Sequence, residues 1–337
     1  MKKYSFIIPC YNGGGLIISA LESVYQQGLE SGTFEVLCVD DCSTDNTAEV
    51  ISHYAETHPE VRLIRHEKNK GCGGARNTAL RQVEGEYIVL LDCDDTFEEN
   101  AFKQFEEQMQ PGMDLYAPLL APQLLPCGKT YQELNCEGVY DGVRFIQKTG
   151  VPWSGPWGYI YSASLFRHCN RYFEENVMME DGDWTINMLL NARQIQVLPF
   201  KMYNYLYNPE SITRSTSTLN RCMDFVFLGV RKCQVLRQVA NLPSDVYVNL
   251  ESDATGPARA ITTVWKYPFK QRRFFFRSLS AYLSPANVHS EDWKAYIGIL
   301  PRKQQWLFEH YRVHELALVF LSPPLRAAKW LYDKIKY

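Results

Sequence analysis

The run Tyr87-Ile88-Val89-Leu90-Leu91 is apolar without a break and meets three aspartates within four positions, Asp92, Asp94 and Asp95. A run of that length reads as a strand covered on both faces. An unpaired carboxylate cannot continue such a strand, because burying a lone charge is very costly. The strand must therefore end here, at the rim of a sheet, with oxygens turned toward a cleft. In open α/β sheets that rim is where ligands bind. Oxygens clustered this tightly suit a hard divalent cation, Mn2+ or Mg2+, which commonly bridges to phosphate. The alternative is a solvated acidic turn that caps the helix near Glu98.

The preceding residues repeat the same arrangement. Strands are predicted at Tyr4–Ile8, Phe34–Val39 and Val61–Arg65. Helices are predicted over about 16–27, from Ser43-Thr44-Asp45-Asn46 through Tyr54, and from Ala75 through Val83. The alternation predicts βαβ units and a parallel sheet. Asp40-Asp41 closes the second strand as Asp92-Cys93-Asp94-Asp95 closes the fourth, so both face one crevice. A carboxylate at Asp40 or Asp41 can accept from the N3–H of uracil or from ribose hydroxyls; a helix cap or an ion pair is the alternative. Lys70 to Asn77 is glycine-rich and carries Arg76. Its glycines would let backbone approach a ligand at a helix N-terminus, yet neither a P-loop nor a dinucleotide fingerprint is present.

Beyond Phe97 the sequence predicts a helix over 97–109, a strand over 114–120, loop and hairpin over 121–138, a short helix over 164–168, a helix over 184–191 and a strand over 194–199. Glu180-Asp181 follows a loop and precedes a helix. A carboxylate there can act as general base toward a hydroxyl, or cap the helix. Trp153, Trp157 and Trp184 cluster around it in sequence and offer faces for sugar rings, with burial in the core as the alternative. After about residue 217 helical patterns dominate, punctuated by Pro268, Pro285, Pro301 and Pro323-Pro324.

Composition excludes several classes. A net charge of −3 with 22% charged residues argues against a nucleic-acid binder. The ten cysteines form no C-x-x-C pair, as expected of a reduced, cytoplasmic protein without structural zinc. The apolar run that opens the chain is stopped by Pro9, too soon for a signal peptide, and no stretch approaches the ~20 apolar residues of a membrane-spanning helix. Residues 266–277 carry five basic side chains and no acidic one. Together with the basic, Trp330-containing end of the chain, they leave open a peripheral contact with an anionic membrane; a helical bundle with a solvated basic face is the alternative. A homo-oligomer is equally left open.

Five segments together carry a family resemblance. They are Pro9-Cys10-Tyr11-Asn12, Val39-Asp40-Asp41-Cys42-Ser43-Thr44-Asp45-Asn46-Thr47, Asn69-Lys70-Gly71-Cys72-Gly73-Gly74-Ala75-Arg76-Asn77, Leu91-Asp92-Cys93-Asp94-Asp95 and Glu180-Asp181. In order and spacing they resemble family 2 nucleotide-sugar glycosyltransferases of the bacterial polysaccharide type. The resemblance covers residues 1 to about 215. It implies a GT-A fold, with a mixed, mostly parallel sheet flanked by helices and a mainly helical C-terminal extension. Residues 1–110 would form the nucleotide-sugar half, 111–215 the acceptor half and 216–337 the extension.

The resemblance also implies roles. Pro9, Tyr11, Asn12 and Asp41 would hold the nucleotide base, with Asp40 beside them. Arg76 would lie in a nucleotide-binding loop, Asp92 and Cys93 by the ribose and donor sugar, and Asp94 with Asp95 at the metal and diphosphate. Asp181, supported by Glu180, would be the base. Arg214 would cover the diphosphate. The expected reaction is inverting transfer of a hexose or N-acetylhexosamine from a nucleoside-diphosphate sugar to a glycan or lipid-linked acceptor, at the inner face of the plasma membrane. A nucleotide-sugar binding protein without turnover and a nucleotidyltransferase are the competing classes. Intact Asp94 and Asp181 argue against the first. The lack of Lys or Arg after Gly13-Gly14-Gly15 argues against the second.

Overall fold

The structure, a computed structural model, describes residues 2–119, 138–149, 155–177 and 180–206, with isolated positions beyond. Trp153, Arg214 and the helical patterns predicted after residue 217 lie outside these spans. The chain divides into two units, residues 1–215 with 239–249, and residues 216–238 with 250–337. The first carries the sheet.

That sheet has eight strands: β1 (Tyr4–Cys10), β2 (Phe34–Asp40), β3 (Val61–Arg65), β4 (Tyr87–Leu90), β6 (Leu115–Leu119), β7 (Gly138–Tyr140), β8 (Ile160–Ser162) and β9 (Ile195–Lys201). Their order across the sheet is β3-β2-β1-β4-β8-β6-β9-β7. β3, β2, β1 and β4 are mutually parallel, β8 runs antiparallel to both β4 and β6, and β9 is parallel to β6. A mixed, mostly parallel sheet is thus the architecture. A small second sheet pairs β5 (Thr96–Phe97) with β10 (Tyr203–Asn204) antiparallel.

Three of the parallel strands are buried throughout; Tyr4–Cys10, Phe34–Asp40 and Tyr87–Leu90 have no exposed position. β3, at the edge, carries exposed Arg62 and Arg65, the charged edge that discourages further pairing. β1 runs two residues past its predicted end, through Pro9. Ile7 points toward β4, since its carbonyl accepts from Leu91 N–H at 3.0 Å, so Pro9 two residues on points the same way. There β4 has already ended at Leu90, and the missing N–H costs no ladder bond.

Seven helices cover the sheet among the described residues: α1 (Ile17–Tyr25), α2 (Thr47–Ala55), α3 (Gly71–Leu80), α4 (Ala101–Gln108), α5 (Gly142–Thr149), α6 (Ala163–Cys169) and α7 (Asp181–Asn191). α4 packs Phe102 and Phe105 edge-on against Tyr4, Phe6 and Tyr116, with ring centroids 4.9–5.1 Å apart for the closest pairs. Much of the chain's aromatic content is therefore core, where offset and edge-on rings add to area burial. Because β1, β2 and β4 are parallel and in register, Tyr11 and Asp41, which directly follow β1 and β2, and Asp92, two residues after β4, all emerge at one rim.

Candidate active site

The rim is built first from the two loops after β1 and β2. Asn12 has φ +52°, a left-handed conformation that Asn tolerates. Its side-chain oxygen accepts from Thr44 N–H at 2.8 Å, and its own N–H donates to Ser43 Oγ at 2.9 Å. Asn12 thus ties the two loops together and leaves the Tyr11 ring, 49% exposed, open at the edge of the cleft. Pro9 is buried beneath.

Asp40 and Asp41 are both buried. One Asp40 oxygen accepts from Ser43 N–H at 3.3 Å and the other lies 3.5 Å from Arg65 Nε. Asp41 Oδ1 accepts from Lys70 N–H at 2.8 Å and lies 2.7 Å from His66 Nδ1, whose Nε2 faces Thr78 Oγ1 at 2.9 Å. This carboxylate organises the turn into α3.

The glycine-rich stretch departs from its sequence reading. It is the first turn of α3, which starts at Gly71 and not at Ala75. Its glycines admit another part of the chain. A Cβ on Gly73 would stand 2.2 Å from the Glu174 carbonyl oxygen and 2.9 Å from Glu180 Cγ. Gly71 has φ +77°, and Lys70 O accepts from Asn176 N–H at 2.8 Å. Asn77 clamps the same segment, donating to Phe173 O at 2.9 Å and accepting from Phe173 N–H at 2.8 Å. The anion brought to this helix start is Glu180's own carboxylate.

Arg76 therefore lies on a helix, 3% exposed. Its guanidinium donates to Glu180 Oε1 at 2.7 Å and to Asp92 Oδ1 at 2.8 Å, and it stands 5.3 Å from the Phe173 ring centre. Burial alone would lower its pKa, but the surrounding Cys72, Asp92, Glu180 and Asp181 raise it, so it is held as a cation.

Asp92, Cys93, Asp94 and Asp95 divide their tasks. Asp92 keeps part of its carboxylate exposed beside Arg76. Cys93 is half-buried, and a Cβ on Gly13 would meet its Sγ at 3.0 Å. Asp94 Oδ2 accepts from Asn208 Nδ2 at 2.9 Å. Asp95 is 1% exposed, and both its oxygens are engaged, by Tyr203 Oη at 2.7 Å and Leu206 N–H at 2.8 Å. Burial pushes its carboxyl up to about 7. Asp95, expected at the metal, buttresses the loop that presents Asp94 through these bonds, and the Tyr203 hydroxyl that holds it also accepts from Asp92 N–H at 3.2 Å.

Glu180 and Asp181 do not cap α7. The N-terminal turn has no side-chain capping bond. Glu180 is spent on Arg76, and Asp181 Oδ1 is shut from solvent with no hydrogen-bond partner among the described residues. Burial, then the neighbouring Glu180 charge, push the Asp181 carboxyl up to about 7, against the pull of Arg76. A carboxyl poised near neutrality suits proton abstraction.

Of the predicted acceptor aromatics, Trp157 is half-buried and stacks on Tyr203 with ring centres 4.7 Å apart, and on Tyr205 at 5.8 Å. Trp184 is corrected to core. It is 1% exposed, lies flat on Phe173 at 4.4 Å and donates its indole N–H to Arg171 O at 2.9 Å, so it has no free face. The sequence reading missed Asn208, Tyr203 and His66. Each acts by touching a carboxylate distant in the chain, and no local pattern marks them.

Among the described residues no group of three or more His, Cys, Asp or Glu side chains forms a metal cage. Asp94 nonetheless fits a divalent cation. Its Oδ1 takes no hydrogen bond among the described residues, and Mg2+-like ions are commonly held by one or two carboxylates plus substrate phosphates.

The family model "Glycosyl transferase family 2" matches residues 5–120. "Uncharacterized glycosyltransferase EpsJ" of Bacillus subtilis is 28% identical over 225 residues, covering 62% of this chain and 62% of that one. The Staphylococcus aureus poly(ribitol-phosphate) beta-N-acetylglucosaminyltransferase TarS is 30% identical over 210 residues, 61% of this chain and 35% of that one. The chain thus spans less than two thirds of these relatives' lengths. In fold, it resembles the S. aureus TarS structure with UDP-GlcNAc at TM-score 0.62 and 22% identity, covering 93% and 88% of the two chains. It also resembles a Pyrobaculum calidifontis mannosyltransferase with GDP-Man and Mn2+ at TM-score 0.54 and 18% identity, covering 93% and 87%.

Proposed function

With residues 5–120 belonging to glycosyl transferase family 2, we propose that this chain is an inverting glycosyltransferase of GT-A fold. It moves a hexose or N-acetylhexosamine from a UDP-sugar to a hydroxyl of a glycan or lipid-linked acceptor in cell-surface polysaccharide synthesis. The observation that carries the reading is the Arg76 bridge. It joins Asp92, at the donor-side strand end, to Glu180, which precedes Asp181 on the acceptor side. Carboxylates from segments far apart in sequence are thereby linked through one side chain. The relatives named above, one of which bears N-acetylglucosaminyl transfer in its name, support the substrate class.

Asp181 takes the proton of the acceptor hydroxyl, which attacks the anomeric carbon opposite the departing diphosphate. No covalent intermediate is needed. Tyr11, Asn12 and Asp41 shape the nucleoside end of the cleft, and Asp92 faces the donor. Asp94 would hold Mn2+ or Mg2+, which would supply Lewis-acid neutralisation of the leaving diphosphate. Trp157, with Trp153 and Arg214 from the neighbouring segments, would complete the acceptor and diphosphate contacts. No described helix is long and apolar enough to cross a membrane. A cytoplasmic enzyme meeting a lipid-linked acceptor at the inner membrane face, through basic residues such as Lys266, Arg272 and Arg273, fits this picture.

The test is turnover of a panel of UDP-sugars, with and without Mn2+, read by release of nucleoside diphosphate. Release of pyrophosphate would point instead to nucleotidyl transfer. Donor binding with no turnover against any acceptor hydroxyl would leave a binding protein.

A further inference from the structure

Arg76 touches two carboxylates, Asp92 and Glu180, and its charge acts on a third, Asp181. We infer that Arg76 is a positioning residue that couples the two halves of the site and sets the pH at which Asp181 ionises, by sharing its charge between Glu180 and Asp92. The inference deepens the reading of Asp181 as base and rests on it for its functional meaning.

The geometry makes Arg76 a divided resource. Its two terminal nitrogens point to carboxylates 16 and 104 residues away, at 2.8 and 2.7 Å, and its Nε has no partner among the described residues. It is 3% exposed, and both its terminal nitrogens are already held by carboxylates. Lys at this place would carry the charge without the fork that holds two acids at once. The clamp on α3, through Gly73 and Asn77, keeps the fork and Glu180 at fixed separation.

The groups that act on Asp181 come from four elements. At the start of its own helix is Glu180, while Asp183, two residues on, is taken up by Arg171 at 2.6 Å. On α3 is Arg76; from the end of β4 comes Asp92; on β8 is Tyr161. Arg76 is the one cation among those named that is not already closed in a one-to-one pair. Asp92 repels Asp181 and competes with Glu180 for that cation. Engaging Asp92 with a donor would release charge toward Glu180 and favour ionised Asp181, so that the base is prepared after the donor arrives.

The titration of Asp181 can be followed without substrate, by NMR of protein labelled with 13C at the aspartate carboxyl. Its signal is assigned by its loss in Asp181→Asn. Arg76→Met is expected to raise the midpoint by about one unit or more, since removing an adjacent opposite charge moves a carboxyl by about 1–3 units. Arg76→Lys is expected to raise it by less than half as much. Asp92→Asn, which removes a repulsive charge and a competitor, is expected to lower it by about half a unit or more. A midpoint unmoved in Arg76→Met, or a Lys variant as shifted as the Met variant, would overturn the inference. If the Met variant does not fold, Asp92→Asn decides alone, and an unchanged or raised midpoint overturns it. Normal sugar transfer by Asp181→Asn would instead sink the base assignment, leaving the measured coupling intact.

Discussion

At the scale of single residues, the site is defined by how burial treats its acids. Asp41 and Asp95 are buried with their bonds made, and they hold loops. Asp181 Oδ1 is sheltered with neither a hydrogen bond nor an ion pair among the described residues, whereas the equally sheltered Asp40 Oδ2 faces Arg65 Nε at 3.5 Å. That difference separates structural from chemical carboxylates, and sequence cannot register it because all are aspartates before or after a strand or helix end. Asp181→Asn is expected to lower transfer by about 10²–10⁴-fold, the usual weight of general base catalysis. In the wild type, kcat/KM should rise with pH through about 7, because only the ionised form accepts a proton. Stability should move the other way. The folded-state value lies above the ordinary 3.8, so the folded protein holds a proton that the unfolded chain has lost between those pH values. Stability contributed by this group therefore falls as pH rises through that window. Asn does not titrate, so the melting temperature of Asp181→Asn relative to wild type should increase from pH 5 to pH 8. A constant difference would mean that Asp181 is ordinary.

At the scale of elements, legibility followed burial and length. β1, β2, β3 and β4 were readable because strands covered on both faces are continuous apolar runs. β8 has three residues, Ile160–Ser162, too few to show a periodicity of their own, and β5 and β10 are two residues each. α5 was missed because Gly142 stands at its start, and a glycine there reads as a breaker. The structure gives Gly142 a different purpose: a Cβ would lie 1.7 Å from the Leu189 carbonyl oxygen of α7. Gly142→Ala should therefore force α5 away from α7 and destabilise by about 1–3 kcal/mol, as overpacking does; a urea midpoint within error of wild type would refute the close approach. At the opposite end of the sheet from the site, fully buried Glu35 accepts from Ser5 Oγ at 2.6 Å and Glu84 N–H at 2.7 Å, with Lys2 at 3.3 Å. It fastens β1, β2 and the turn into β4. Glu35→Ala should cost about 2–4 kcal/mol through stranded buried donors, read by the same urea titration, without altering donor affinity. A loss of donor affinity in a still-folded variant would show that the two ends of the sheet communicate.

At the scale of the whole molecule, the aspartate loop is held from behind by a distant segment. Tyr203, Leu206 and Asn208 reach Asp95 and Asp94 across more than a hundred residues of chain. Five short motifs made the donor side legible, yet this second grip lies where no motif runs, because a side chain that orients a carboxylate can come from any segment the fold brings near. The arrangement makes ligand binding a load on the folded state. A donor nucleotide with its cation binds the assembled cleft and not the unfolded chain, so at about 100 times Kd it should add about 2.7 kcal/mol. For a chain of this size that is a rise of roughly 5 °C in melting temperature, at about 2 °C per kcal/mol. UDP with Mn2+ is the probe. The rise should vanish with chelator and in Asp94→Ala, since Asp94 Oδ1 takes no hydrogen bond among the described residues and is open to the cation. Asn208→Ala should keep the rise but require more Mn2+, because its amide orients the other Asp94 oxygen at 2.9 Å. An Asp94→Ala variant still stabilised by UDP and Mn2+ to the wild-type extent would place the cation elsewhere.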